Sequence, residues 1–328
     1  MQSINIRPYL PHLALLSAQL CFSGWHIVGS MALKTASPFV FVLYREIGAS
    51  ILMYALLRYR KQSLSIERAD YPRFLFLGCC SFVNVVGAAL ALQYISATRY
   101  AIFQPSIPCI ATVVSMCLGS DKVSVIKLAG IALAVGGAVL AETWKPEGSS
   151  GDDEEDNVGL GCTVAALQVV AMALLVVFVK PMLSKYPPAA VTLAYYGLGT
   201  ILTLLLVICW SFQLTSNDML FDNKALPWIA LAYVTVFATL YPYNVLSWAG
   251  RFLSPGTTAV YSTFQVMEIP CTIHHTLYTI RHTSYTIHHI QVVGTVVLSF
   301  VILQEIVTLP EALGALGVCL GLVLTVYG

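Results

Sequence analysis

Long apolar runs dominate the chain and alternate with short polar connections. A helix that crosses the hydrocarbon core of a bilayer needs about 20 mostly apolar residues. Ten runs satisfy or approach this length, at about 13–31, 38–58, 72–92, 98–119, 124–142, 159–179, 189–210, 227–249, an interrupted run near 256–303, and 308–327. The pattern predicts an all-α polytopic membrane protein with ten transmembrane helices.

The composition points to the same class of protein. Hydrophobic residues make up 58% of the chain and charged residues only 10%, whereas soluble proteins carry about a quarter charged residues. The lipid bilayer is therefore its expected main solvent and partner. The net charge of +1 excludes a nucleic-acid partner, which would require a strongly basic surface.

The orientation in the membrane is predicted by the positive charges. Five of them cluster between the second and third runs, at Arg58, Arg60, Lys61, Arg68 and Arg73. Because Lys and Arg accumulate in cytoplasmic loops, this loop and both termini are expected to face the cytoplasm. In that orientation eleven Lys and Arg residues are cytoplasmic and four are external, Arg45 and Arg281 being left out of the count.

Two blocks of residues recur with the same spacing in the two halves of the chain. The recurring pairs are Ser96 and Ala101 with Ser254 and Ala259, and Asp121, Gly130 and Gly137 with Glu305, Gly314 and Gly321. This similarity predicts two five-helix repeats, 9–143 and 159–328, joined by an acidic Gly/Ser-rich linker at 144–158. Because five is an odd number, the second repeat must enter the membrane inverted relative to the first.

The second repeat carries 26 extra residues. Ala101 and Asp121 are 20 residues apart, but Ala259 and Glu305 are 46 apart. The excess coincides with a tandem His/Thr/Tyr-rich repeat at 272–289, and it predicts an insertion of about 266–291 within the ninth span. Such polar residues cannot be satisfied in lipid, so the segment is expected to be extruded, and its deletion is expected to restore the span.

Three of the five histidines in that insertion, His275, His282 and His289, recur every seven residues. Imidazole is a common metal ligand. The regular spacing and its absence from the first half favour a low-complexity insertion instead, so no metal and no cofactor are predicted. Whether 266–291 is a genuine part of the mature protein stays open.

Three blocks resemble the EamA-type drug/metabolite transporter superfamily, and within it the plant nodulin-21-like, walls-are-thin-related group. They are the Phe-Val-Leu-Tyr-Arg-Glu block at 41–46, the Tyr-Ile-Ser-Ala-Thr block at 94–98 with the later Ala101 and Pro108, and the Gly-rich segment 130–137. The resemblance implies ten helices, cytoplasmic termini, and export or vacuolar efflux of small metabolites such as amino acids or auxin-like compounds. It also implies the plasma membrane or the vacuolar membrane.

Two charged residues, Arg45 and Glu46, lie within the second span. A charge inside a span costs about 2.5–3.5 kcal/mol on insertion scales and often marks a transport pathway. Helix neighbours point about 100° apart, so the two side chains cannot pair face to face. We interpret Arg45 as an anchor for a substrate carboxylate and Glu46 as a proton carrier. The alternative is a pair of structural polar contacts that hold the second span.

Amide side chains also lie within the apolar spans, at Asn84, Gln104, Asn244 and Gln265. Amides both donate and accept hydrogen bonds, which suits a polar or zwitterionic organic substrate. Hydrogen bonding between helices is the alternative. Gln168 and Gln19 are weaker candidates of the same kind.

Aromatic residues supply candidate walls for a ligand site. Tyr241 and Tyr243, on either side of Pro242 in the eighth span, are the stronger candidates, and Trp25 belongs to the wider set. Small-molecule sites are usually lined by such side chains. Many tyrosines and tryptophans in membrane proteins instead form belts at the headgroup level.

Together these features predict a secondary transporter of small organic metabolites that works by alternating access. A gradient across the membrane would drive the transport, and a proton gradient is one candidate. A small-molecule substrate is the expected partner, and homodimerisation stays open. A non-transporting receptor or scaffold and a sugar-phosphate or nucleotide-sugar carrier are the alternatives. No catalytic side-chain set lies within the spans, so the chain is not expected to be an enzyme.

Overall fold

The computed structural model describes most of the first eight predicted spans. The described residues are 10–96, 99–100, 103–104, 106–119, 124–143, 152–210, 219–221, 224–253, Thr258, Gly317, Leu320, Gly321 and Leu324. The insertion at 266–291, the ninth span and Gln265 lie outside them.

The described chain is helical, and it contains no strand within those ranges. The α-helices are α1 (Leu10–Leu33), α2 (Pro38–Tyr59), α3 (Tyr71–Tyr94), α4 (Ser106–Cys117), α5 (Val125–Thr143), α6 (Asp152–Lys185), α7 (Pro188–Trp210), α8 (Ala225–Thr235) and α9 (Tyr241–Ala249). A 3₁₀ turn, Arg68–Asp70, precedes α3. A π turn, Val236–Leu240, joins α8 to α9 into one segment that corresponds to the eighth predicted span.

Within the described part of the chain, six segments are long and apolar enough to cross a membrane. They are Leu10–Leu33, Pro38–Tyr59, Arg68–Tyr94, Val158–Lys185, Pro188–Trp210 and Ala225–Ala249. Each has 22 or more residues, which gives a helix of at least about 33 Å at 1.5 Å per residue. The expectation of an all-helical polytopic membrane protein is therefore confirmed. α4 is apolar but shorter.

One boundary differs from the sequence-based expectation. The sequence predicts that the acidic residues Asp152–Asp156 belong to the linker, but α6 begins at Asp152 and runs to Lys185. Acidic residues are favourable in the first turns of a helix because the N-terminal end of the helix dipole is positive. The acidic run can therefore extend the sixth helix beyond its apolar part.

The eighth span is irregular at its centre. Pro242 follows the π turn and occupies the start of α9. Proline has no N–H to donate to the preceding turn, and π turns are frequent at functional sites in helices. The change in winding alters which faces of α8 and α9 point into the bundle.

Helices from the two halves of the chain pack closely on one another. α3 contacts α6 and α7, α2 crosses α7, and α1 contacts the α8–α9 segment. Gly78 on α3 permits one of these approaches, since a Cβ there would lie 2.6 Å from Leu198 Cβ on α7. The core between these helices encloses the candidate site.

Candidate functional site

A cavity lies within the bundle, among side chains from α1, α2, α3, α4, α6, α9 and the residues just before α4. It encloses about 410 Å³ of empty space, including the space at its opening. Its lining is Phe22, Trp25, His26, Arg45, Asn84, Val85, Ala88, Tyr100, Gln104, Ile107, Gln168, Met172 and Tyr243. Aromatic walls around a few polar groups are typical of small-molecule sites.

Three amides and a phenol form a continuous hydrogen-bonded relay along one wall. The Gln104 amide nitrogen donates to the Gln168 carbonyl oxygen at 3.0 Å, and the Gln168 nitrogen donates to the Asn84 oxygen at 2.7 Å. The Asn84 nitrogen then donates to the Tyr243 hydroxyl at 2.7 Å. The relay joins residues from the first half and the second half of the chain, and each amide in it is hydrogen-bonded to the next group.

Arg45 is held at the same cavity by two contacts. Its guanidinium carbon lies 4.9 Å from the centroid of the Trp25 ring, within cation–π range. Its Nε donates to the Thr239 hydroxyl at 2.7 Å, and Thr239 belongs to the π turn. Its buried Nη1 has no hydrogen-bond partner among the described residues. A buried cation with an unused donor is suited to bind an anion.

His26 is, after Arg45, a second lining residue with a buried polar atom that lacks a partner among the described residues. Its ring meets the Tyr100 ring edge-on, with centroids 5.1 Å apart. Its Nδ1 is buried and has no hydrogen-bond partner in the described part of the chain. Buried polar atoms without a partner are rare and call for an explanation such as a ligand or a water molecule.

Tyr243, the last member of the relay, is held in place by aromatic contacts. Its ring packs edge-on against Phe22 and Tyr196, with centroids 5.9 Å and 5.2 Å away. These contacts fix the ring, so that its hydroxyl lies at the end of the amide relay. The phenol therefore joins the aromatic and polar parts of the lining.

Glu46 is buried beside the cavity but is not part of its lining. It lies next to Thr203 on α7, whose hydroxyl donates to the backbone carbonyl of Gly199 at 3.2 Å. Neither carboxyl oxygen of Glu46 meets hydrogen-bond geometry with a described residue. Arg45 and Glu46 thus point to different surroundings, as their adjacency on a helix predicts.

The structure brings together four of the residues proposed from sequence to bind substrate, namely Arg45, Asn84, Gln104 and Tyr243. Two others lie outside the cavity lining. The Tyr241 hydroxyl is 2.6 Å from the Ser17 hydroxyl, and the Asn244 amide donates to Leu240 of its own helix at 2.7 Å.

Sequence reasoning overlooks His26, Tyr100 and Thr239. A signal for His26 is present, because a histidine inside an apolar span is costly unless it faces protein or water. Tyr100 and Thr239 carry no comparable signal. Gln168 is only a weaker candidate by sequence, although it is the central link of the relay.

The helices and the buried polar cavity define a polytopic α-helical integral membrane protein. Residues 10–143 match the EamA-like transporter family. A WAT1-related protein of Arabidopsis thaliana is 24% identical over 250 residues, covering 70% of this chain and 63% of that protein. The matched part of the chain thus spans less than two thirds of that relative's length.

A second plant relative and a solved structure are also similar to this chain. Protein WALLS ARE THIN 1 of Arabidopsis thaliana is 24% identical over 291 residues, covering 79% of this chain and 74% of that protein. A protein of known crystal structure superposes with a TM-score of 0.63 at 12% identity, covering 96% of this chain and 95% of the other, which shows a shared fold. The resemblance to EamA-type plant transporters is therefore confirmed.

Proposed function

We propose that this protein is a secondary transporter of small organic metabolites and that the buried cavity binds the substrate. The main support is that two buried atoms of the cavity lining, Arg45 Nη1 and His26 Nδ1, have no hydrogen-bond partner among the described residues. Leaving such atoms unsatisfied costs about 1–3 kcal/mol each, and more for a charged group. A polar substrate that enters the cavity removes this cost.

The cavity chemistry supports a substrate with a carboxylate and an apolar body. Arg45 is the one Lys or Arg among the described lining residues, and it suits a single carboxylate. The amide relay from Gln104 to Tyr243 suits the polar groups of an amino acid, and Trp25 and Phe22 suit an apolar or aromatic body. Amino acids and auxin-like organic acids fit this description.

A sugar-phosphate or nucleotide-sugar carrier is less well supported. A phosphorylated substrate carries about two negative charges, and several cations would be expected to face it. The described lining offers Arg45 alone. A receptor or scaffold that does not transport has no specific observation in its favour.

Alternating access is proposed to arise from ten helices arranged as two inverted repeats. The packing is consistent with a two-fold relation, because α1 packs on the α8–α9 segment as α6 packs on α3. When Pro38 and Pro188 are taken as equivalent positions of the two repeats, Gly48 corresponds to Leu198. When Ser96 and Ser254 are taken as equivalent, Gly78 corresponds to Val236. A Cβ added at Gly78 would lie 2.6 Å from Leu198 Cβ, and a Cβ added at Gly48 would lie 3.1 Å from Thr235 Cγ2, so the two close approaches correspond within one residue.

The energy source and the location are part of the same proposal. Glu46 is proposed to carry a proton, since its buried carboxyl lies close to Arg45 without sharing its contacts.

The basic loop at 58–73 is proposed to be cytoplasmic, in a protein that lies in the plasma membrane or the vacuolar membrane. A tag at either terminus should then be protected from outside labelling, whereas a tag within 146–151 should be reached.

The test is uptake by proteoliposomes offered a mixture of amino acids, aromatic and aliphatic carboxylates and sugar phosphates, with the retained compounds identified by mass spectrometry. The wild type should accumulate at least one carboxylate, and Arg45→Gln should reduce this at least tenfold. The matched control is Arg58→Gln, which removes an exposed arginine of the same helix. No accumulation above empty liposomes, or accumulation of sugar phosphates alone, would overturn the proposal.

A further inference from the structure

A second cavity lies further along α6, among α6, α7 and α9, and contains about 400 Å³ of empty space, including the space at its opening. Met172 belongs to the lining of both cavities. The other lining residues of the second cavity are Leu175, Val176, Val179, Lys180, Leu183, Tyr195, Leu246, Ser247, Gly250, Leu253 and Thr258. Most of this wall is aliphatic, so the second cavity suits an apolar body better than a polar one.

One cation, Lys180, stands in that aliphatic wall. Its ammonium group donates to the backbone carbonyls of Gly250, at 2.6 Å, and Leu253. An ammonium group has three donors, and the third has no partner among the described residues. The nearby lining also contains the hydroxyl oxygen of Thr258, which is buried and without a partner in the described chain.

Just beyond this cavity, the end of α6 is bonded to the 3₁₀ turn before α3 and to the segment after α9. The Lys185 ammonium and the Tyr186 hydroxyl donate to the Asp70 carboxylate at 3.0 Å and 2.8 Å. The Arg251 Nε donates to the carbonyl of Leu183 at 3.1 Å. Asp70 belongs to the basic loop region, so this cluster lies at the basic end of the bundle.

These features follow one another along a single helix. At 1.5 Å per residue, Lys180 lies about 12 Å beyond Met172, and Lys185 about 20 Å beyond it. The order is the first cavity, the Met172 side chain, the second cavity with Lys180, and then the cluster around Asp70. A ligand that moved from the first cavity towards the basic end would meet a second cation on the way.

We propose that the second cavity is a further binding station for an organic anion with an apolar body, anchored by Lys180 and separated from the first cavity by Met172. It provides the route between the first cavity and the basic end of the protein. The proposal rests on the proposed transport function. The cluster around Asp70 closes this route in the described conformation.

The test uses single cysteines and small thiol reagents of opposite charge, applied from the basic-loop side of sealed vesicles. Val179→Cys places a thiol in the second cavity. Ser184→Cys is the matched control on α6, because Ser184 is exposed at the basic end of the helix and lies outside both linings. Mass spectrometry of the peptide that contains the new cysteine gives the modification rate with an anionic and with a cationic methanethiosulfonate.

Relative to the control, Val179→Cys should favour the anionic reagent about tenfold, and the added Lys180→Met substitution should remove this preference. The added Asp70→Asn substitution should speed modification by either reagent. No reaction at Val179→Cys, even with Asp70→Asn, would overturn the proposal, and so would a charge preference that does not change when Lys180 is replaced.

A second variant tests the route without altering Lys180. Met172→Trp should lower the transport rate of the carboxylate found in the uptake experiment at least tenfold, while Val179→Cys stays reactive from the basic side. Leu167→Trp, at a position 58% exposed on the same helix, should transport normally. Unchanged transport by Met172→Trp would refute the route. A wild type that accumulates no metabolite would instead refute the transport function, because the labelling result does not depend on transport.

Discussion

The Ser50 and Thr200 hydroxyl oxygens lie 2.9 Å apart where α2 crosses α7. Each residue is twelve positions after the proline that begins its helix, Pro38 or Pro188. Equivalent residues of two repeats can contact each other only near the two-fold axis that relates the repeats. The contact therefore supports an axis through this crossing, as the proposed inverted repeats require.

This crossing can be tested with a pair of cysteines. Ser50→Cys combined with Thr200→Cys should form a disulfide under mild oxidation, because the two side-chain tips already touch and a disulfide requires close Cβ atoms. Faster migration on a non-reducing gel, reversed by reductant, gives the readout. Ser50→Cys with Ile201→Cys is the control, since Ile201 points about 100° away from Thr200. Equal cross-linking of both pairs would contradict the crossing.

The amide relay predicts unequal effects of two asparagine substitutions. Asn84→Ala leaves the Gln168 donor and the Tyr243 hydroxyl without their partners, so we expect the free energy of unfolding to fall by about 1–3 kcal/mol. Asn244→Ala removes a bond within one helix and should cost much less. Asn84→Ala should therefore raise the KM of carboxylate uptake at least fivefold and lower the thermal midpoint in detergent. Equal effects of the two variants would count against the relay.

Glu46 predicts a change in pH dependence. Glu46→Gln keeps the size and burial of the side chain but cannot release a proton, so transport should continue without its pH dependence. The measurement is the initial uptake rate between about pH 5 and pH 8. Glu67→Gln, an exposed carboxylate in the basic loop region, should keep the wild-type profile. A normal pH profile in folded Glu46→Gln would assign this residue a structural role.

The close packing of α3 against α7 predicts that alanine has opposite effects on stability at Gly78 and Gly197. Gly78→Ala places a Cβ 2.6 Å from Leu198 Cβ and 3.4 Å from the Tyr195 carbonyl, so α3 and α7 must separate, at a cost of about 1–3 kcal/mol. The Cβ of Gly197→Ala would have no atom of the described residues within 4 Å, so this substitution should stabilise α7 by up to about 1 kcal/mol. Thermal unfolding in detergent distinguishes them. A Gly78→Ala variant as stable as Gly197→Ala would show that the two helices are less tightly packed.

The sequence by itself determined the class of protein and most of the helices. The bilayer demands a minimum length of apolar helix, and that demand appears in the sequence as runs such as 38–58 and 189–210, which match α2 and α7. The cost of a charge in lipid likewise marks Arg45 through its position in an apolar run alone. These signals are local, so they can be recognised without knowing which helices meet.

The tertiary structure alone decided which polar residues share a site. Tyr241 and Tyr243 are two positions apart, yet Tyr243 lines the cavity and Tyr241 contacts Ser17, because helix faces rotate by about 100° per residue and the preceding π turn shifts their phase. Asn84 and Tyr243 are separated by 159 residues. Their contact depends on the packing of α3 against the second half of the chain, which no local pattern contains.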